Sequence, residues 1–349
     1  MASRWIGIRW HRPPISLRVD RRTPVVLLCL AGLAAIGMFF GVIGGTETIS
    51  PVAAVRALLD LDGASSADVF VVRSLRLPRS AAAFLVGTGF GTAGTVLQGL
   101  TRNPLAAPGI IGINAGASLA VVISLVLLPT LPVGGLPLVA FVGSLLMCVA
   151  IYLLAWEGHD SSPVRLILVG IGLSFAAGAL TSLLLTLGNI NRVSLALVWL
   201  VGSLYGRNWN HIWALLPWLL GFLPLALALA PELDVLSLSE PVARGLGVRV
   251  RRSRTLLLVT GAALSGASVA TAGTIGFVGL LAPHLARRLV GSSHLELIPT
   301  AALMGGLLVL AADGLSRALF PHVEMPCGIM TVGLGVPYFL YLLTRSKSI

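Results

Sequence analysis

The chain of 349 residues is 56% hydrophobic and only 11% charged, with a mean hydropathy of +0.95. Soluble domains carry roughly a quarter of their residues as charge, so a water-borne fold of this size is excluded and lipid must cover much of the surface. The net charge of +11 argues equally little for nucleic acid, because the arginines gather at the ends of apolar runs, where they set membrane orientation.

Residues 1–23 form a basic cytoplasmic segment. Met1–Arg22 holds six arginines and no apolar run long enough for a signal sequence. Residues 24–349 form the transmembrane domain, with ten apolar spans at about 24–43, 80–99, 114–130, 137–156, 163–187, 210–230, 254–273, 275–290, 297–317 and 327–344. An even number of spans returns the C-terminus, with Arg345 and Lys347, to the cytoplasm. This places 17 of the 24 Lys and Arg residues inside and leaves Arg56, Arg73, Arg76, Arg79, Arg192, Arg207 and Arg317 outside, as the positive-inside rule requires.

Two outer segments, Thr48–Leu61 and Ser194–Tyr205, read as short surface helices or as loops. The eighth span is short and contains Pro283, which predicts a broken helix. Arg79-Ser80 and Leu85-Val86 recur as Arg252-Ser253 and Leu258-Val259 at one constant offset, a hint of an inverted repeat. Cys29, Cys148 and Cys327 lie apart, in or beside apolar runs, which suits buried packing and neither a disulfide framework nor a metal site.

Ser237–Arg254 is polar and strongly basic inside this apolar chain. Ser239, followed by Glu240 and Pro241, is a helix start, since a serine oxygen satisfies an orphan backbone N–H. Gly245 and Gly247 end that helix. The arrangement suits a cytoplasmic docking surface at about 237–250. Ser239–Val248 would transmit force, while Arg249, Arg251, Arg252 and Arg254 mostly set orientation and start the seventh span.

Absences narrow the chemistry. Lys347 is the only lysine, so no GxxxxGK[ST] phosphate loop exists, and HExxH, GxSxG and CxxC are missing too. If ATP drives this machine, another chain binds it. Asp313 and His284 are the nearest candidates for chemistry within the membrane, yet a helix-packing carboxylate and a satisfied structural histidine are the favoured readings. The spans otherwise offer Gly, Ser, Thr, Gln98 and Asn114, a lining that attracts small ions weakly. It suits a large solute moved by an external engine or plain lipid-facing packing, and an ion-coupled secondary transporter is the alternative from another class. Arg76, Arg79 and Arg317 lie outside, against the charge rule. Their forked guanidinium groups suit carboxylates on a partner, or lipid headgroups.

Several longer motifs carry a resemblance. Arg76-Leu77-Pro78-Arg79 leads into GTGFGTAGTVLQGLTRNPLAAPGIIGINAGAS at Gly87–Ser118. SEPVARGLGV follows at Ser239–Val248, GTIGFVGLLAPHLARRLVG at Gly273–Gly291 and MPCGIMTVGLGVPYFLYLL at Met325–Leu343. From about Val72 to Leu343 the chain resembles the FecCD permeases of bacterial importers for iron–siderophores, haem and cobalamin. Met325-Pro326-Cys327 departs from the usual Leu-Pro-Val or Leu-Pro-Ile.

The resemblance implies an all-α integral membrane protein of about ten helices, with the permease fold of the cobalamin-type (type II) ABC importers, in a bacterial inner membrane. It implies a second permease, identical or homologous, a pair of cytoplasmic ABC ATPases that hold ATP and magnesium, and an extracytoplasmic binding protein. No cofactor or metal is expected on this chain. Ser239, Glu240, Ala243, Arg244, Leu246 and Gly247 would couple to the ATPase, and Arg76, Arg79 and Arg317 would face glutamates of the binding protein. Gln98, Asn103, Pro104, Asn114, Pro283, His284 and Asp313 are candidates for the pathway or its framework. A ferric siderophore is the expected cargo, with haem and cobalamin as alternatives.

Overall fold

The computed structural model describes residues 5–11, 14–45, 49–61, 63, 65–109, 112–128, 132–155, 163–320 and 323–345. Thr48, Lys347 and the expected span ends at 130 and 156 lie outside them.

The chain opens with a hairpin of β1 (Trp5–His11) and β2 (Pro14–Asp20). They pair antiparallel, Ile6 opposite Val19, Ile8 opposite Leu17 and Trp10 opposite Ile15. This is the one exception to the expected all-helical chain among the described residues. Its cause is a period-two alternation of apolar residues in WIGIRW and PISLRV.

Helices make up the rest. α1 (Arg22–Ile43) leads to α2 (Pro51–Leu59) and α3 (Ser66–Phe70). A π-helical stretch, Val71–Arg76, then runs without interruption into α4 (Leu77–Thr101). There follow α5 (Ile113–Leu127), α6 (Leu136–Ala155), α7 (Pro163–Leu187), α8 (Ile190–Val201) and α9 (Trp209–Ala228). The last group is α10 (Ala230–Leu238), α11 (Glu240–Gly245), α12 (Val250–Ala272), α13 (Val278–Val290), α14 (His294–Leu319) and α15 (Cys327–Arg345).

Seven helices are long and apolar enough to cross a membrane: α1, the continuous Ser66–Thr101 run, α6, α7, α9, α12 and α14. With the shorter α5, α13 and α15 they coincide with the ten expected spans. Both uncertain outer segments are helical. In α2 the Ser50 hydroxyl accepts from Ala53 N at 3.2 Å, and α8 begins four residues earlier than expected, capped by Asn189.

The helices form two tiers. The most apolar stretches of α4 and α12 are 78% and 83% buried, whereas those of α1, α6, α7 and α9 are 22–28% buried. The inner helices are built for this, because small residues let backbones close in without help from water. At Gly87 a methyl group would strike the backbone of Gly305 in α14, and at Gly94 it would strike the carbonyl of Gly279 in α13.

That second contact bears on Pro283. The helix was expected to break there, yet α13 runs through it unbroken. Pro283 deprives the Gly279 carbonyl of its usual donor, and that carbonyl lies against Gly94, whose lack of a side chain admits it. The break instead falls before α13, where Phe277 takes a left-handed conformation at φ 64°. Cys327 is buried as expected, Cys148 is half-buried, and Cys29 is exposed on the outer-tier helix α1.

Candidate functional site

Two ends of the helix bundle gather the singled-out residues. At the first, α11 is a single capped turn. Ser239 is extended (φ −166°, ψ 160°) and its hydroxyl accepts from Val242 N at 3.3 Å. Pro241 fits the first turn, where a missing N–H costs nothing. The helix closes with Val248 N donating to Ala243 O and Gly247 N to Arg244 O, both at 3.0 Å. Gly247 has φ +80°, with open space where a side chain would stand.

Packing and charge then fix the turn. Ala243 is fully buried against Val250 and Leu257 of α12 and Leu233 and Leu236 of α10. Glu240 pairs with Arg244 at 2.8 Å and with Arg254 at 3.3 Å. Arg254 is itself buried. It therefore braces α11 from below, a role beyond the orientation first assigned to it. Val242 and Leu246, one helical turn apart, stay 44% and 65% exposed, and Leu238 beside them is exposed too. The outward surface of this turn is an apolar patch beside the half-exposed Arg244.

The opposite end carries the three arginines, each engaged within the chain. Arg76 donates from Nη1 to the carbonyls of Val42 (3.1 Å) and Ile43 (2.8 Å), and Arg317 from its Nη1 to those of Gly41 (2.8 Å) and Gly44 (3.2 Å). Together they satisfy the orphan carbonyls at the end of α1.

Asp313, 1% exposed, lies between two guanidinium groups. Arg79 donates to its Oδ1 from Nε at 3.0 Å and Nη2 at 2.9 Å. Arg317 Nε approaches Oδ2 at 3.2 Å, near enough for charge pairing although the angle is poor for a hydrogen bond. Arg79 also reaches Glu324, 54% exposed, at 3.3 Å. A carboxylate buried without such partners would be untenable, and these two guanidinium groups are what hold Asp313 in place. A cavity of about 940 Å³ opens here, with Arg76, Arg79, Arg207, Arg317, Asp68 and Glu324 in its wall.

The pathway candidates do not converge. Gln98 donates to Leu280 O and accepts from Arg287 Nη2, both at 3.4 Å, tying α4 to α13. Asn103 accepts from Leu105 N at 2.9 Å and shapes the turn that holds Pro104. Asn114 lines a separate cavity of about 360 Å³ between α5, α8 and α15. His284 packs edge-on to Tyr338 at 6.1 Å, and its Nε2 has no hydrogen-bond partner among the described residues. The satisfied histidine expected there is not found.

Sequence reasoning missed Glu324, Glu296 and the pair Asp234–His294. Glu296 is buried in α14 and accepts from Asp20 N at 2.8 Å and Thr23 Oγ1 at 2.7 Å. Its only signal was an acid at the start of an apolar span.

A two-tiered helical bundle with a protruding capped turn at one end and a charged mouth at the other is a multi-pass membrane permease. Residues 33–345 match the FecCD transport family, and the chain belongs to it. It is 42% identical over 328 residues to the Fe(3+)-citrate import system permease protein YfmE of Bacillus subtilis (strain 168), covering 93% of this chain and 96% of that one. The Fe(3+) dicitrate transport system permease protein FecD of Escherichia coli (strain K12) is 40% identical over 322 residues, covering 92% and 98%. Among solved structures, an inward-facing metal-chelate type ABC transporter superposes with a TM-score of 0.82 at 30% identity, covering 92% of this chain and 99% of that one.

Proposed function

We propose that this chain is the permease subunit of an ATP-driven importer that carries a ferric siderophore across a bacterial inner membrane, with both termini in the cytoplasm. A separate pair of ATPase subunits hydrolyses ATP, a second permease completes the pathway, and an external binding protein delivers the cargo. The observation that carries this reading is α11, a turn fixed by its cap, by Ala243 and by Glu240, with Val242 and Leu246 exposed on its outer face beside Arg244. Such a turn can be pushed by a partner without deforming. The iron–chelate names of the relatives support the cargo.

At the other end, Arg76, Arg79 and Arg317 rim the large cavity and are assigned to the binding protein. Its carboxylates would join or displace Glu324. Gln98, Asn103, Pro104, Asn114, Pro283 and His284 are assigned to the framework of the pathway.

The test is reconstitution in liposomes with its partner ATPase. The wild-type complex is expected to import ferric siderophore only with ATP and binding protein, and Leu246→Asp to prevent the ATPase from co-purifying. Uptake driven by a proton gradient without any ATPase would overturn the reading.

A further inference from the structure

Beside α11, the preceding helix α10 is fastened at two points that the permease reading leaves without a role. The first is Asp234. Its Oδ1 accepts from the backbone N of His294, at 2.9 Å, and from the imidazole Nδ1 of His294, at 2.5 Å. His294 is the buried first residue of α14. The second is Arg102, just past the end of α4, whose Nε donates to Leu236 O at 2.8 Å. The fit is close. A methyl group on Gly99 of α4 would come within 2.6 Å of His294 Nε2 and 2.9 Å of the Leu233 side chain.

The two helices holding α10 are also locked to each other. Gly87 meets Gly305, and Gly91 meets Ala301, at backbone contact. At their far ends Arg79 of α4 grips Asp313 of α14. α1 is stitched to α14 at both ends as well, through Glu296 to Asp20 and Thr23 and through Arg317 to Gly41 and Gly44. Close-packed helices of this kind shift as bodies, because well-packed interiors are not continuously deformable.

We propose that Asp234 and His294 form the joint through which displacement of the α10–α11 segment reaches α14, and that α4 and α14 carry it as one bar to the arginine network at the opposite face. Both are positioning residues, acting through α14. The proposal rests on the permease reading and adds a route between its two docking ends.

The experiment uses the full importer in nanodiscs, with its ATPase and binding protein. Four quantities are measured on Asp234→Ala, His294→Ala and Asp234→Asn: assembly, thermal stability, basal ATPase activity, and the stimulation of that activity by cargo-loaded binding protein. The alanine variants are expected to keep assembly and basal activity while stimulation falls about tenfold, the size of a typical coupling between sites. Asp234→Asn retains an acceptor for both His294 donors and is expected to keep most of the stimulation. Full stimulation in both alanine variants overturns the joint. So does a loss of stimulation that only parallels a loss of assembly and thermal stability, which marks a merely structural contact. A wild-type complex in which binding protein leaves ATPase activity unchanged overturns the permease reading itself, a separate failure.

Discussion

The two ends of the bundle use arginine in opposite settings. At the charged mouth, Arg79 and Arg317 share a buried carboxylate, and Arg76 and Arg317 cap α1. At α11, Arg244 and Arg254 hold Glu240 while apolar side chains face outward. At the mouth these charges work inward, whereas at α11 only Arg254 is buried and Arg244 stays more than half exposed. Surface charge patterns in a membrane protein therefore locate the ends of the machine, and the contact residues have to be found by exposure.

The largest effect is expected from Asp313→Ala, which leaves two half-desolvated guanidinium groups without their shared partner. Breaking a buried pair in this way costs about 3–5 kcal/mol, to be read as a lowered unfolding temperature in detergent. An unchanged melting point would show that the mouth is not held by this network. At the other end, Gly247→Pro forces φ to about −65° where the chain needs a positive value, and removes the Gly247 N–H. Uptake is expected to fall to background while ATP hydrolysis persists, and normal uptake would break the lever assignment.

Ser239→Ala sharpens the same end. Loss of an N-cap costs about 1 kcal/mol, so transport should fall only a few-fold, measured as initial uptake rate. The smallest effect belongs to Asp60→Asn, which removes the negative charge of the solvent-exposed pair with Arg73. Such pairs contribute about 0–1 kcal/mol, and no measurable change in the melting point is expected.

Much of this architecture was legible because spans and caps are local properties. Apolar length located the seven long helices and the three shorter ones that match the expected spans, and Ser239, Pro241 and Gly247 gave α11 almost to the residue. The joints were not legible. Arg79 and Asp313 lie 234 positions apart, Asp20 and Glu296 276, and Asp234 and His294 60, and no periodicity within one helix signals its partner on another. Pro283 misled for a related reason, since the neighbour that accommodates its orphan carbonyl, Gly94, belongs to α4. The N-terminal hairpin was hidden differently. Its alternation was present, but six arginines drew the reading toward charge.

The open space around Gly247 has a stereochemical consequence. Because nothing lies within 4 Å of where its Cβ would stand, the position excludes side chains by handedness and is indifferent to their bulk. An L-alanine there would be strained by roughly 1 kcal/mol, whereas its mirror image, D-alanine, would sit in a favoured conformation. This turn is a chiral filter, and a D-residue introduced at Gly247 by semisynthesis would stiffen it without changing its shape.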